Sequence, residues 1–274
     1  MDELFANPVV QTAVIPFIVA LIAGAILNRF GWYWAGLTVV TGFVACVWLI
    51  MDLKLFPLSS TRKIVMLGLV AVVTGMVLDV YTARRRFIPS VLFVSGILAA
   101  LWVTWPVLMR REGAEFWLLA TGASIYAGWL MIAMDRLRNQ PLRAGTSALS
   151  LGIGTGVSAV MGASALLGQL ASSIGAASGA YLLLALFVPK QPAGSLLTMP
   201  VALLCGLLAI AGHVYATLPW YVLPLLAIIP ILACVPLPEQ KPTWIKIALL
   251  VSATLPAAIA SILVAWWIEG APPI

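Results

Sequence analysis

Long apolar runs alternate with short polar breaks along the whole chain. Most of these runs approach the ~20 residues that a helix needs to cross the hydrocarbon core of a bilayer. The runs are Val9–Leu27, Trp32–Met51, Ile64–Tyr81, Phe87–Leu108, Phe116–Met134, Gly145–Leu166, Ser172–Phe187, Leu196–Thr217, Tyr221–Val235 and Ile245–Trp267. The pattern predicts an all-α integral membrane protein, a polytopic bundle of about ten transmembrane helices with short loops. Tyr221–Val235 is the shortest run and holds Pro224 and Pro230, so we expect it to be kinked or re-entrant.

The stretch from Gly145 to Pro189 contains no charged residue. It is too long for one span and long enough for two. We therefore predict a hairpin of two helices whose tight turn lies near Gly168–Ala171. In that turn, Gln169 is expected to reach the lipid headgroups or the partner helix.

Small residues dominate this hairpin: of the 36 residues from Gly145 to Ala180, 25 are Gly, Ala, Ser or Thr. Helices in lipid associate by close packing, which small side chains permit. Residues four positions apart share a helix face, and the residues assigned to such faces are Gly152, Gly156, Ser158, Gly162, Gly175 and Gly179. Two interpretations stay open. The faces pack against another helix of the same chain or of a second copy, or they line a path or pocket for a solute.

The composition agrees with membrane insertion and excludes an ordinary soluble domain. Hydrophobic residues make up 63% of the chain and charged residues 9%, against roughly 45–50% and 25% in soluble domains. We therefore treat residues 1–274 as a single transmembrane domain. A division near Arg143 gives two halves of five spans each, 1–143 and 144–274. Because five is an odd number, the halves would have opposite orientations in the membrane, as in inverted-repeat carriers. The two halves show no convincing sequence match.

Basic residues are distributed unequally between the two sets of loops. One set holds Arg29, Arg84, Arg85, Arg86, Arg136, Arg138, Arg143, Lys190, Lys241 and Lys246, and the other holds Lys54, Arg62, Lys63, Arg110 and Arg111. Because cytoplasmic loops carry the excess of positive charge, we expect both termini on the non-cytoplasmic side of a bacterial-type inner membrane. The acidic start MDELFANP is unlike a cleavable signal, so the first run is expected to remain as a span.

Few side chains within the spans could carry chemistry. His213 is the only histidine, near the end of its span and two residues before Tyr215. It either makes a hydrogen bond to a neighbouring helix or has a proton-handling or ligand-contacting role. Thr121 and Ser124 are three residues apart and are expected to share a face near mid-depth.

Asp79 is the carboxylate expected about one turn inside the membrane. A carboxylate at this depth needs a partner. It is expected either to form an ion pair with Arg29 or Arg84 or to serve as a substrate or proton site.

Metal, cofactor and enzyme chemistry find little support in the sequence. Cys46, Cys205 and Cys234 stand isolated in apolar runs, without the spacing of a disulfide framework or a metal site. We therefore expect no metal and no cofactor. An enzyme is disfavoured because the chain lacks a nucleophile–base–acid arrangement and the clustered aspartates of membrane phosphotransferases.

Two function classes remain in competition. The number of spans, the helix-breaking prolines and the small-residue hairpin favour a carrier or channel for a small neutral or weakly polar solute. The lack of deep charges and the four-residue spacing of small residues favour a non-catalytic membrane subunit or assembly scaffold. The expected partners are the lipid bilayer and either further copies of the chain or other membrane subunits. Nucleic acid is not expected, because the net charge of +6 arises from short clusters between spans.

Overall fold

The computed structural model describes residues 7–30, 32–52, 56–80, 87–162, 164–188, 193–238 and 240–270. Regular structure in these residues is helical, and the α-helices are α1 Ile15–Phe30, α2 Leu37–Met51, α3 Ser60–Val80, α4 Ile88–Leu108, α5 Gly113–Asp135, α6 Pro141–Met161, α7 Ala165–Phe187, α8 Gly194–Tyr215, α9 Val222–Ala227, α10 Ile229–Leu232 and α11 Thr243–Glu269. A π-helical turn, Val10–Val14, precedes α1, and a 3-10 turn, Trp32–Gly36, precedes α2. The predicted all-α fold class is confirmed.

Nine helical segments of the described chain are long and apolar enough to cross a bilayer, namely α1 with its preceding turn, α2 to α8, and α11. The remaining apolar segment is Val222–Leu232, made of α9 and α10. At 1.5 Å per residue it measures about 16 Å, roughly half of the hydrocarbon thickness. The break between α9 and α10 follows from Pro230, which has no N–H to donate to the carbonyl of Leu226.

The chain nevertheless traverses the whole bundle in this region. The N–H of Thr217 donates to the carbonyl of Gly162, at the end of α6 (3.2 Å). The guanidinium of Arg143, at the start of α6, donates to the carbonyl of Val235 (3.0 Å). Residues 217–235 therefore run the full length of α6, with short helices in the middle and non-helical backbone at both ends. The predicted kinked segment is a broken crossing and not a re-entrant loop.

Consecutive crossings alternate in direction. We call the end of the bundle at Arg138 the Arg138 face and the opposite end, at Gly162, the Gly162 face. Helix α8 starts at the Arg138 face, where the N–H of Gly194 donates to the carbonyl of Arg138 (3.0 Å). Helix α11 runs parallel to α6, because Ser150 and Ser158 of α6 are hydrogen-bonded to Thr254 and Ser261 of α11, respectively.

Helix α8 is the centre of the bundle. Every residue from Ser195 to Gly212 is buried, and α8 packs against α2, α3, α4, α5, α6 and α7. A helix that is apolar all round is expected in such a position. The polar groups that could carry function therefore lie at its two ends or in the helices around it.

The hairpin of α6 and α7 is present, but α6 already ends at Met161 and α7 starts at Ala165, so the turn does not lie at Gly168–Ala171. Helix α6 ends at Met161, and the carbonyl of the following Gly162 accepts the N–H of Thr217 from another part of the chain. Gly168 continues within α7, where a Cβ atom would lie 2.8 Å from the carbonyl oxygen of Gly156. The inverted relation between residues 1–143 and 144–274 stays a prediction.

Candidate functional site

A cavity of about 850 Å³ lies between α5, α8 and α9, toward the Gly162 face. It is lined by Leu118, Leu119, Gly122, Ala123, Ile125, Tyr126 and Trp129 of α5, by Ile210, His213 and Val214 of α8, and by Trp220, Leu223, Pro224 and Ala227. The gap beside α5 arises because the short α9 packs mainly against α11. Helix α8 forms the floor of the cavity.

The cavity opens sideways, through the apolar belt of the bundle. Three of its lining side chains are strongly exposed: Leu118 by 72%, Ile125 by 61% and Trp220 by 56%. Leu118 and Ile125 lie within a membrane-spanning helix. An opening bordered by such side chains lies in the apolar, lipid-facing belt of the bundle.

His213 is held in one tautomer by the loop that follows α8. Its Nδ1 lies 2.8 Å from the carbonyl oxygen of Leu218. Since a carbonyl only accepts hydrogen bonds, Nδ1 carries the proton, and in the neutral ring Nε2 carries the lone pair. No hydrogen bond to Nε2 comes from any residue in the described ranges. His213 therefore contributes a free acceptor atom on a half-buried ring that lines the cavity.

The inner end of the cavity is closed by a hydrogen bond from Trp129 Nε1 to the carbonyl of Ala227 (3.0 Å). That carbonyl is free because its helical donor, the N–H of Ile231, donates to Ile228 instead. The helix break between α9 and α10 thus leaves available the acceptor that Trp129 uses. Near the same depth, the buried hydroxyl of Tyr126 has no hydrogen-bond partner within the part of the chain that the structure describes.

The other polar residues of interest near the cavity lie outside its lining. Tyr215 donates its hydroxyl to the carbonyl of Val103 and so ties the end of α8 to α4. Thr121 is exposed and donates to the carbonyl of Trp117 in its own helix (2.6 Å). Ser124 is buried. Any role of these residues in a solute path stays a prediction.

Asp79 lies at the opposite end of α8. Its carboxylate accepts hydrogen bonds from the N–H groups of Ser195 (2.7 Å) and Leu196 (3.0 Å). His213 follows Ser195 by 18 residues in α8, which is about 27 Å, so Asp79 and His213 do not share a site. Arg84 lies outside the described residues, and no ion pair joins Asp79 to Arg29 among the described contacts.

Gln169 lies in the second turn of α7 and is half-buried. Its backbone carbonyl is 3.9 Å from the sulfur of Cys46 in α2. It is therefore part of the interface between α7 and α2, and its contribution to a solute path stays a prediction.

The small-residue faces of α6 are occupied by other parts of the same chain. A Cβ atom at Gly152 would lie 2.6 Å from the Cα of Gly175, and one at Gly156 would lie 2.7 Å from the backbone nitrogen of Ser172. Ser158 bonds Ser261 (3.2 Å).

Two further glycines of the predicted set, Gly162 and Gly179, differ in how closely they pack. A Cβ atom at Gly162 would lie 3.0 Å from the backbone nitrogen of Leu218. Gly179 differs from the others, because its Cβ would find its nearest neighbour at 3.7 Å. Gly179 therefore has room for a Cβ atom, whereas Gly152 does not.

Sequence reasoning did not single out Gly122, Trp129 or the carbonyl of Leu218. A usable signal was present in Pro224 and Pro230, which break the helix that forms one wall of the cavity. Among the residues that the structure describes, His, Cys, Asp and Glu side chains form no group of three suited to holding a metal ion.

No protein-family model matches this sequence, and no curated protein matches it. The fold itself defines the class: the chain is a multi-pass helical membrane protein in contact with the lipid bilayer.

Proposed function

We propose that this protein is a carrier for a small neutral or weakly polar solute, which binds in the cavity between α5, α8 and α9. The observation that carries the proposal is the cavity itself. Its volume of about 850 Å³ lies within the roughly 300–1,000 Å³ usual for ligand sites. Its lining contains no Lys, Arg, Asp or Glu, so a charged solute would lose hydration without gaining a partner.

The broken crossing beside the cavity supports a carrier over a purely structural protein. Carriers commonly bind their substrates where transmembrane helices are discontinuous and backbone carbonyls are free. Here the break at Ile228 lies next to Ala227, which lines the cavity and whose carbonyl bonds Trp129. The wall formed by α9 is therefore held to α5 by a specific side-chain bond.

The alternative, a non-catalytic subunit or assembly scaffold, has less support. One of its two arguments, beside the lack of deep charges, was the four-residue spacing of small residues in the hairpin, which could dock other helices. Gly152 and Gly156 already contact α7, and Gly154 faces Ala258 of α11, where a Cβ would lie 3.1 Å from its methyl carbon. Purification in mild detergent separates the two functions, since a scaffold should carry unrelated subunits in fixed ratio.

The carrier proposal is tested by filling the cavity at Gly122. A Cβ atom there would meet no heavy atom within 4 Å, so larger side chains enter open space. Small molecules that copurify with the protein are identified by mass spectrometry for the wild type, Gly122→Ala and Gly122→Phe. The matched control is Val73→Phe, at a position on α3 that is 65% exposed.

We expect the wild type, Gly122→Ala and Val73→Phe to retain the same bound molecule. Gly122→Phe should retain at least about tenfold less, which corresponds to a loss of about 1.4 kcal/mol. The identified molecule is then placed on one side of proteoliposomes, and its movement should be faster with the wild type than with Gly122→Phe. Equal retention in all four proteins, together with equal movement by the wild type and Gly122→Phe, would overturn the proposal.

We also propose the orientation derived from the basic residues, with the Arg138 face in the cytoplasm of a bacterial-type cell. Among described residues, Arg29, Arg136, Arg138, Arg143, Lys241 and Lys246 belong to that end, and Arg62, Lys63, Arg110 and Arg111 belong to the Gly162 face. The excess on the Arg138 face supports its cytoplasmic location. In this orientation the cavity lies in the non-cytoplasmic half of the inner membrane.

A further inference from the structure

We propose that the ligand of this cavity is a membrane lipid alcohol, which enters sideways from the bilayer and donates its hydroxyl to Nε2 of His213. The inference rests on the proposed function, since it takes the cavity as the binding site. It adds the chemical class of the ligand, the route of entry and the residue that recognises the polar group.

The donor–acceptor character of the site comes from His213. The carbonyl of Leu218 occupies the protonated Nδ1 (2.8 Å), which leaves an acceptor at Nε2. Trp129 Nε1, a donor in the cavity wall, is already bonded to Ala227 (3.0 Å). A ligand hydroxyl is therefore offered an acceptor at Nε2 of His213, while the indole N–H of Trp129 is already used.

The polar and apolar ends of the cavity match the orientation of an amphipathic lipid. His213 lies in the last turn of α8, near the bundle end where Trp220 and Tyr221 stack at 4.1 Å between ring centroids. Such aromatic pairs belong at the membrane–water boundary. From Leu118 to Trp129 the cavity wall follows 11 residues of α5, about 16 Å along the helix into the bundle. A hydroxyl at the boundary and an apolar body of about this length fit the space.

The lateral opening of the cavity determines how the ligand enters. Leu118 and Ile125 border the cavity and are 72% and 61% exposed, within a helix that spans the bilayer. A lipid already oriented with its hydroxyl at the boundary can slide in without turning and without exposing its apolar body to water.

The test uses all-trans-retinol as the probe, because it has one hydroxyl, an elongated apolar body and a fluorescence that tryptophan sensitises. Its methyl ether is the matched ligand without a donor. Binding of each is titrated to the intact protein in nanodiscs. The wild type should bind retinol about tenfold more tightly than the ether, the usual effect of losing one hydrogen bond to a partly buried group.

Two substitutions of His213 separate its two nitrogens. His213→Asn keeps a donor near the position of Nδ1 and removes the Nε2 acceptor, so retinol affinity should fall to that of the ether. His213→Gln keeps an acceptor near Nε2 and loses the bond to Leu218, so discrimination should persist. The ether affinity reports on the integrity of the cavity in both variants and should stay within about twofold of the wild type, because the ether makes no hydrogen bond to this residue. Gly122→Phe should abolish the binding of both probes.

The outcomes distinguish this inference from the carrier proposal. Equal binding of retinol and ether, lost in Gly122→Phe, would overturn the hydroxyl recognition and leave the cavity as the binding site. Tighter binding of retinoic acid than of retinol would also overturn it, since the site would then recognise an anion. Binding that Gly122→Phe does not change would place the probe outside the cavity and contradict the inference. No binding of either probe would overturn the lipid alcohol class, while the copurified molecule would still decide the carrier proposal.

Discussion

The carboxylate of Asp79 accepts the backbone N–H of Ser195 at 2.7 Å, across 116 residues of sequence. Its second oxygen accepts the N–H of Leu196 at 3.0 Å, and the N–H of Gly194 donates to Arg138. The first N–H groups of a helix have no partner within the helix. Here three of them, at the start of the most buried helix of the bundle, are satisfied by an anion and a carbonyl. Asp79 is therefore a cap for α8, and its negative charge also complements the positive end of the helix dipole.

Removing this cap should destabilise the protein. For Asp79→Ala we expect a loss of about 1–2 kcal/mol of unfolding free energy, the upper range for a helix cap. Asp79→Asn, which keeps one acceptor, should lose less. The measurement is reversible unfolding in detergent micelles. Glu112→Ala is the control, because Glu112 is exposed at the start of α5 and makes no side-chain cap. A loss for Glu112→Ala equal to that for Asp79→Ala would contradict the assignment.

Two glycines of the hairpin should respond differently to a methyl group. A Cβ at Gly152 would lie 2.6 Å from the Cα of Gly175, whereas a Cβ at Gly179 finds its nearest atom at 3.7 Å. We expect Gly152→Ala to cost about 1–3 kcal/mol through overpacking. Gly179→Ala should be neutral or stabilise by roughly 0.5–1 kcal/mol, because alanine favours the helix. Thermal unfolding of both variants beside the wild type measures the difference, and similar shifts would argue against close packing at Gly152.

The contact between α6 and α11 includes a directional hydrogen bond. The hydroxyl of Thr254 donates to Leu250 (2.9 Å), so it accepts from Ser150 (2.8 Å). A double-mutant cycle of Ser150→Ala and Thr254→Val should give a coupling energy of about 0.5–1 kcal/mol, typical of interhelical bonds in membranes. The control cycle pairs Ser150→Ala with Thr104→Val. Thr104 is buried but bonds only its own helix, at Ala100, so coupling should be near zero. Equal coupling in both cycles would mean that the effect is not due to this bond.

The proposed orientation makes a prediction for reporter fusions. A reporter active only in the cytoplasm should be active when fused near Arg138 and silent when fused at Ile274. Fusion near Gly162 should also be silent, because the turn of the hairpin lies at the opposite face. Activity at Ile274 together with activity near Arg138 would show that the segment around α9 and α10 does not cross the bilayer in cells.

The sequence predicted the helical class and nearly all crossings, because a span is recorded in local hydropathy. The hairpin was also predictable, since a 45-residue stretch without charge must turn once. The position of its turn was not. In that stretch the helices and the turn contain the same small residue types, so composition does not mark the turn. Helix α6 ends next to Gly162, which contacts Thr217 and Leu218 from another part of the chain.

The site was less predictable than the fold. Asp79 was singled out as a carboxylate that needs a partner, with Arg29 or Arg84 as the expected one. Its partners are the backbone N–H groups of Ser195 and Leu196, and such groups at a helix start leave no mark in a sequence. His213 was also singled out, but its tautomer depends on the carbonyl of Leu218. The cavity depends on α9 lying against α11 instead of α5, which is a matter of packing. Gly122 matters only because nothing fills the space beside it.

The broken crossing by α9 and α10 constrains the order in which the chain enters the membrane during synthesis. Its 11 apolar residues fall short of the roughly 17 that a helix needs to remain in lipid alone. Its non-helical ends are satisfied by Gly162 and Arg143 of α6, and unsatisfied backbone is not tolerated in hydrocarbon. We therefore expect helix α6 to be inserted before residues 217–235 cross. Because the direction of helix α11 depends on that crossing, we expect the last two crossings to enter the bilayer as a coupled pair.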